Sequence, residues 1–308
     1  MRVAIVGTGA FAKYFINEFT AAGIEVVVLT RSHKSFLDGK KGVMDQRITD
    51  YSSVPQLVEL LSDCDALVSA IFDLTRASAD VHLTLIEACK QTPKCKRFIP
   101  SDFFNDTETF PEIPDGWAQF NIPVKEALKA QNELEWTVVS MGWIMDYIVP
   151  SANRYHPDIG LWFPLDHQKK TMTIVGTGNE VFSITSPRDV AKATAELLKN
   201  RNKWSQFTFM QGEETTLLQV AEEVKTAGGI SDLKVIFEPL DKTQEEFGRL
   251  EVNGARTDLE FKLTIPSGIV KLDQEKVKRD QAAFFPNVHF RTMRELLEAA
   301  KQEPNAIV

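Results

Sequence analysis

Six residues near the start of the chain, Gly7-Thr8-Gly9-Ala10-Phe11-Ala12, constrain its fold more than any other feature. They follow the apolar run Val3-Ala4-Ile5-Val6, and Phe11, Tyr14, Phe15 and Phe19 then recur at helical spacing. The pattern G-x-G-x-x-A is informative only in such a strand–turn–helix setting. There Gly7 permits a tight turn, Gly9 lets backbone approach a ligand, and Ala12 is small enough for the helix to lie on a sheet. An open helix N-terminus offers free N–H groups and partial positive charge, which suit a diphosphate. Gly7, Thr8, Gly9, Ala10, Phe11 and Ala12 are thus the first candidate ligand residues, and a dinucleotide is the expected ligand class.

The first half continues in the same rhythm. Val26-Val27-Val28-Leu29, Ala66 to Ile71, Phe98-Ile99-Pro100 and Trp136 to Ser140 read as strands, with a weaker one near Ile48. Helical faces at Leu57, Leu60 and Leu61, at Val81, Leu85, Ala88 and Cys89, and around Val124 to Gln131 separate them. Strands this apolar are covered on both sides, which means a parallel sheet between helices. The expected class is α/β: a Rossmann doubly wound parallel sheet over residues 1–147. A smaller α+β substrate-binding part over 148–308 follows, with strands free to return to the main sheet. Its helix starts are marked by Ser186-Pro187-Arg188-Asp189 and by capping-box spacing at Thr216/Gln219 and Thr292/Glu295.

Composition excludes several classes. The 308 residues hold 35 Lys and Arg against 43 Asp and Glu, a net charge of −8, which disfavours a nucleic-acid partner. No apolar run approaches the ~20 residues that span a bilayer. Met1-Arg2 leads straight into a strand without a signal-peptide pattern, and three cysteines make no disulfide framework. A soluble cytoplasmic protein, monomer or homodimer, acting on a small molecule is the expectation.

The second strand selects between dinucleotides. NAD sites carry an acid about 20 residues after the glycine loop. Here Leu29-Thr30 is followed by Arg31, Ser32 and, two places on, Lys34. Arg31 suits bidentate bonding to a 2′-phosphate, with Ser32 and Lys34 adding donors. NADP(H) is therefore the expected cofactor. Ligands in this architecture bind beyond the carboxyl ends of the strands. Those ends add Ile71, Phe72, Ser101, Met141 and Gly142 as cofactor candidates. Phe103, Phe104, Trp143, Tyr147, Trp162 and Phe163 are candidates for an aromatic substrate wall, or else for core. Asn105 to Trp117, with Pro111 and Pro114, reads either as a shielding loop or as a long connection.

Other catalytic signatures are missing. The four tyrosines are followed four places later by Glu18, Pro55, Ser151 and Ile159, so no Tyr-x-x-x-Lys pair exists. The histidines His33, His82, His156, His167 and His289 lack metal-ligand spacing and read as surface or packing residues. Ser140 is preceded by Val138, so it stands in no G-x-S-x-G elbow.

Together the motifs resemble the isoflavone-reductase-like, or NmrA-like, branch of the atypical short-chain reductases, in the style of fungal members. The resemblance rests on Gly7 to Ala12, Arg31, Lys96 to Phe103, Trp136 to Val139, Gly142 to Tyr147, Ile174 to Gly178 and Thr185 to Ala191. It implies NADPH-dependent reduction of an aromatic or phenolic compound, frequently in secondary metabolism. It also implies one lysine at the start of the helix before the sixth strand. Here that position falls on Asn121, and Lys125 stands one turn later on the same helix face. Two readings of the pair stay open: Lys125 as general acid/base beside Asn121, or Asn121 as a helix cap and Lys125 as a solvated lysine. The missing lysine also keeps open a non-catalytic dinucleotide sensor binding a protein partner, and a non-redox cyclase or isomerase.

Overall fold

The structure, a computed structural model, describes residues 1–111, 117–251 and 254–308. Its first elements are β1 (Arg2–Val6), α1 (Ala10–Ala21), β2 (Glu25–Thr30), β3 (Val43–Ile48), α2 (Val54–Leu61) and β4 (Ala66–Ser69). Then come α3 (Arg76–Gln91), β5 (Arg97–Ile99), α4 (Ile122–Lys129) and β6 (Glu135–Trp136). These strands form one sheet of six in the order β3-β2-β1-β4-β5-β6, every neighbouring pair parallel. The order reverses direction at β1 and β4, which opens a crevice at their carboxyl ends.

Alternation along β1 explains why the sheet is apolar throughout. Val3 and Ile5 face a core shared with α1, while Ala4 and Val6 face one shared with α2, α3 and α4. Successive side chains on a strand point to opposite faces, so a sheet buried twice needs apolar residues at every position. The helix between β3 and β4 starts as its residues dictate: Ser53 accepts from the Gln56 N–H, and Pro55 sits in the first turn.

The run from Trp136 to Ser140 is not one strand. It breaks at Thr137, and β7 (Val138–Ser140) changes partner. The Thr137 N–H still donates to the Phe98 carbonyl, while the Val138 N–H donates to the Gln206 carbonyl. The new neighbour is a later segment, residues 207–209, paired parallel with β7. The hydroxyls of Thr137 and Thr208 meet at 2.9 Å.

Beyond β7 lie β8 (Trp143–Ile144), β9 (Leu165–Asp166), β10 (Thr171–Val175), β11 (Val181–Thr185) and α5 (Pro187–Lys199). Next are β12 (Phe207–Phe209), β13 (Glu213–Thr216), α6 (Leu217–Thr226), β14 (Lys234–Glu238) and α7 (Leu240–Arg249). The helices α8 (Gly254–Leu263), α9 (Gln274–Phe284) and α10 (Met293–Gln302) complete the described elements. Two small sheets, β14-β10-β9 and β13-β11-β8, share a third apolar core with α6, α8 and α10. Both expected capping boxes form, at Thr216/Gln219 and Thr292/Glu295. The expected Ser186 cap does not: Ser186 holds the cap position of α5, but its hydroxyl accepts from Arg291 at 2.8 Å instead. Asp189, one turn into α5, is paired with that same arginine at 2.9 Å. Cys64, Cys89 and Cys95 are buried free thiols. No helix among the described residues is long and apolar enough to cross a membrane.

Candidate active site

A cleft of about 690 Å³ opens where the strand order reverses, at the carboxyl ends of β1, β2, β4, β5 and β7. Its first end is the glycine turn. Gly7 has φ +101°, a left-handed value that a side chain resists, and a Cβ there would sit 3.2 Å from the Ala70 carbonyl oxygen. The Gly7 N–H is held by the Leu29 carbonyl at 3.0 Å, which locks the turn to β2. Gly9 differs: a Cβ there would meet nothing within 4 Å, so that space is open. No side chain caps α1, and its first turn holds no acid. Open space beside uncapped N–H groups fits a diphosphate.

Beyond β2 the exposed Arg31 guanidinium lies 5.9 Å from the Tyr51 ring. Tyr51 is buried, has φ +68°, and donates its hydroxyl to the Leu29 carbonyl. That fixed ring and the arginine flank one end of the cleft. Lys34 also lines the cleft, and its Nζ donates to Ser32 Oγ at 2.9 Å. Ser32 itself is exposed and off the wall.

At the middle of the cleft the loop after β5 brings in Ser101, Asp102, Phe103 and Phe104. His82 anchors it: its Nδ1 bonds the Ser78 carbonyl at 2.7 Å, and its Nε2 accepts from the Ser101 N–H at 3.2 Å. Burial pushes the Asp102 carboxyl up, against the Lys125 charge and hydrogen bonding from Asn121. Its Oδ2 has no hydrogen-bond partner among the described residues. Burial likewise pulls Lys125 down, partly offset by Asp102. Asn121 lines the cleft, whereas Lys125 is buried one turn behind it. Asn121 occupies the cap position of α4 without a capping hydrogen bond from its side chain.

The far end is aromatic. Trp143 stands edge-on to Phe104 at 4.9 Å, and Trp162 stacks on Phe261 at 4.4 Å. The Trp143 indole donates to the Thr264 hydroxyl at 3.1 Å and the Trp162 indole to Asp258 at 2.7 Å. Tyr147, Trp143, Trp162 and Phe261 face the cleft on one side and a second cavity of about 370 Å³ on the other. Phe163 lines only the second cavity. Gly142 is off the wall, but Met141 is on it. Gly142 serves close packing: at φ +69°, a Cβ would come 2.1 Å from the Ser183 carbonyl oxygen. Ala12 is fully buried beneath the turn. Thr8, Ala10, Phe11, Ile71 and the largely exposed Phe72 line the cleft.

Several wall residues carry no signal in sequence, among them Tyr51, Asp73, Leu74, His156 and Phe261. His156, read as a surface or packing residue, is buried against Tyr14 as that reading has it, and it is also among the residues that line the cleft. The Asn105 to Trp117 segment begins packed rather than draped over the cleft. Asn105, Asp106 and Thr107 are buried, and the Asp106 N–H donates to the Ile269 carbonyl. Pro114 lies outside the described residues. No group of three or more metal-binding side chains occurs among the described residues.

A family model described as NAD(P)H-binding matches residues 7–158. The oxidoreductase swnR of Arthroderma benhamiae is 38% identical over 309 residues, covering 100% of both chains. Pinoresinol reductase 1 of Arabidopsis thaliana is 26% identical, with 71% of each chain covered. A solved structure of AtPrR2 with NADP+ and (+)pinoresinol matches with a TM-score of 0.77 at 20% identity, over 97% of this chain and 98% of that one. The six-stranded parallel sheet, the glycine turn at its crevice and a full-length likeness to a named oxidoreductase agree, and the chain belongs to the isoflavone-reductase-like family of NAD(P)H-binding oxidoreductases.

Proposed function

We propose that the protein is an NADPH-dependent reductase of a small aromatic or phenolic compound. The observation that carries this is one continuous cleft with a glycine turn and Arg31 at one end and an aromatic wall at the other. Arg31 and Lys34 supply the positive charge that a 2′-phosphate needs, and no acid follows Thr30 to repel it. Tyr51 and Arg31 give adenine two flat surfaces. When bound, NADPH supplies a hydride to the substrate carbon. Phe103, Phe104 and Trp143 keep water from that exchange and favour a flat acceptor.

The proton comes from the chain. Burial pushes the Asp102 carboxyl toward its protonated form, and its Oδ2, without a hydrogen-bond partner among the described residues, is the candidate proton carrier beside the cleft. Lys125, whose charge acts on Asp102 from behind, is the candidate to restore that proton, and burial lowers its own affinity for protons. Asn121 orients the carboxyl. Asp102 is thus the candidate acid, and Lys125 acts through it. Mixing the protein with NADPH and a panel of aromatic enones, ketones and lignan-like compounds tests the reading at 340 nm. We expect oxidation with at least one of them, lost in Asp102→Asn while NADPH binding persists. Binding without turnover across the panel would favour a dinucleotide sensor, a reading that Lys125 standing off the cleft wall supports.

A further inference from the structure

His156 follows the aromatic segment after β8 and is 9% exposed. Its ring stacks on Tyr14 at 5.8 Å and 18° between planes, and lies 5.9 Å from Tyr147 and 6.1 Å from Phe11. Each of the other four histidines has a partner for a ring nitrogen. His33 meets Asp38, His82 meets Ser78 and Ser101, His167 meets the Tyr147 carbonyl, and His289 meets Glu295. His156 has none among the described residues: its Nδ1 is enclosed without a hydrogen bond. His156 is nonetheless among the residues that line the main cleft.

Packing alone does not account for this. Phenylalanine would fill the same three-ring nest without the cost of a buried, unpaired polar atom. Such a cost is offset when a ligand supplies the missing partner. Charge narrows the ligand. Burial and the neighbouring Arg154 hold the imidazole at a pKa of about 4, so near neutral pH it is uncharged, with one N–H and one lone pair. Arg154 is a poor anion site, because its side chain is 2% exposed and its guanidinium is already paired with Asp158 and bonded to the Val149 and His156 carbonyls. A carboxylate would therefore lack a free cation here, and an ammonium would face Arg154.

We infer that His156 is the polar anchor of the substrate end of the cleft, hydrogen-bonding a neutral hydroxyl or carbonyl oxygen on the bound aromatic compound. The inference rests on the aromatic end being the substrate end. It makes His156 a specificity-determining residue that fixes the orientation of the ring, separate from proton delivery at Asp102.

The test uses the full chain saturated with NADP+, with 4-methylphenol and toluene as probes of one shape, with and without the oxygen. Affinities come from ligand-observed NMR, and the state of His156 from its imidazole nitrogen shifts. The expected result is about tenfold tighter binding of 4-methylphenol, the worth of one net hydrogen bond. His156→Phe should bring the two probes within about twofold while still binding toluene, and His156→Gln should restore part of the preference. The wild-type imidazole shifts should move with 4-methylphenol only. Calorimetry with NADP+ should give equal affinity for wild type and His156→Phe. No preference in the wild type, a preference surviving in His156→Phe, or binding of neither probe overturns the inference. Weaker NADP+ binding by His156→Phe also overturns it, since the residue would then serve the cofactor. Failure of the wild type to take up NADP+ sinks the underlying reductase reading, and the anchor with it.

Discussion

Gly9→Ala separates the two duties of the glycine turn. The backbone at Gly9 has φ −68°, which any residue adopts, and a Cβ there meets nothing within 4 Å. Two small effects on stability oppose each other. Alanine is a poorer N-cap than glycine by roughly 0.5–1 kcal/mol, while the restricted unfolded chain returns about 0.4–1 kcal/mol. The melting temperature should therefore stay within about 2 °C of the wild type. Ligand binding has no such offset, because the methyl group enters the space assigned to the diphosphate. Losing one charge-assisted hydrogen bond of about 1.5–3 kcal/mol weakens NADPH by roughly 10-fold to 150-fold. Calorimetry and thermal melts on the same sample read both numbers. Gly7→Ala is the contrast: at φ +101° and 3.2 Å from the Ala70 oxygen, it should lose about 1–3 kcal/mol of stability as well. An unchanged melt with NADPH affinity within twofold of wild type in Gly9→Ala would refute the diphosphate assignment.

Three further outcomes are expected. Arg31→Asp should weaken NADPH by about 100-fold and NADH by less than about threefold, since only the first has a 2′-phosphate; equal losses would remove Arg31 from cofactor choice. Gly142→Ala should cost ~3 kcal/mol or more, because the Ser183 backbone stands 2.1 Å from the new methyl, and a melt within 1–2 °C of wild type would contradict that geometry. Stability should fall on acidification from about pH 6.5 to 4. Burial lowers His156 from 6.5 to about 4, so its contribution is complete above 6.5 and is lost as pH drops through the folded value. The difference amounts to about 3 kcal/mol for His156. His82 and His167 move the same way, while Asp146, raised to about 6 by burial, gives a contribution that fades as pH rises through that value. Urea unfolding at several pH values should therefore show a flatter acid limb in His156→Gln; an identical limb would mean His156 titrates normally.

What could be read from the chain beforehand follows from how local each signal is. The glycine turn, the doubly buried strands and both capping boxes depend on residues within a few positions of one another, and all appear as expected. The break at Thr137 does not, because nothing near Trp136 to Ser140 announces a partner some 70 residues later. Ser186 has the right neighbours for a cap, yet Arg291, distant in sequence, takes its hydroxyl. Helical spacing put Asn121 and Lys125 on one face, but spacing has no depth, and only Asn121 reaches the cleft wall. His156 has no pattern around it, since a lone polar residue in a loop shows its surroundings only after Tyr14, Phe11 and Tyr147 converge. Tyr51 is hidden for a similar reason: its left-handed backbone aims the ring at Arg31, and β-region propensity would not have put it there.

The exchange of partners at Thr137 bears on how the chain comes together during synthesis. Until residues 207–209 emerge from the ribosome, β7 is an open border with unpaired N–H and C=O groups. Arg97 likewise waits for the carbonyls of Leu198 and Asn200. A fragment cut near residue 150 would carry the whole glycine turn and still expose a sticky margin, so it should precipitate or pair with itself.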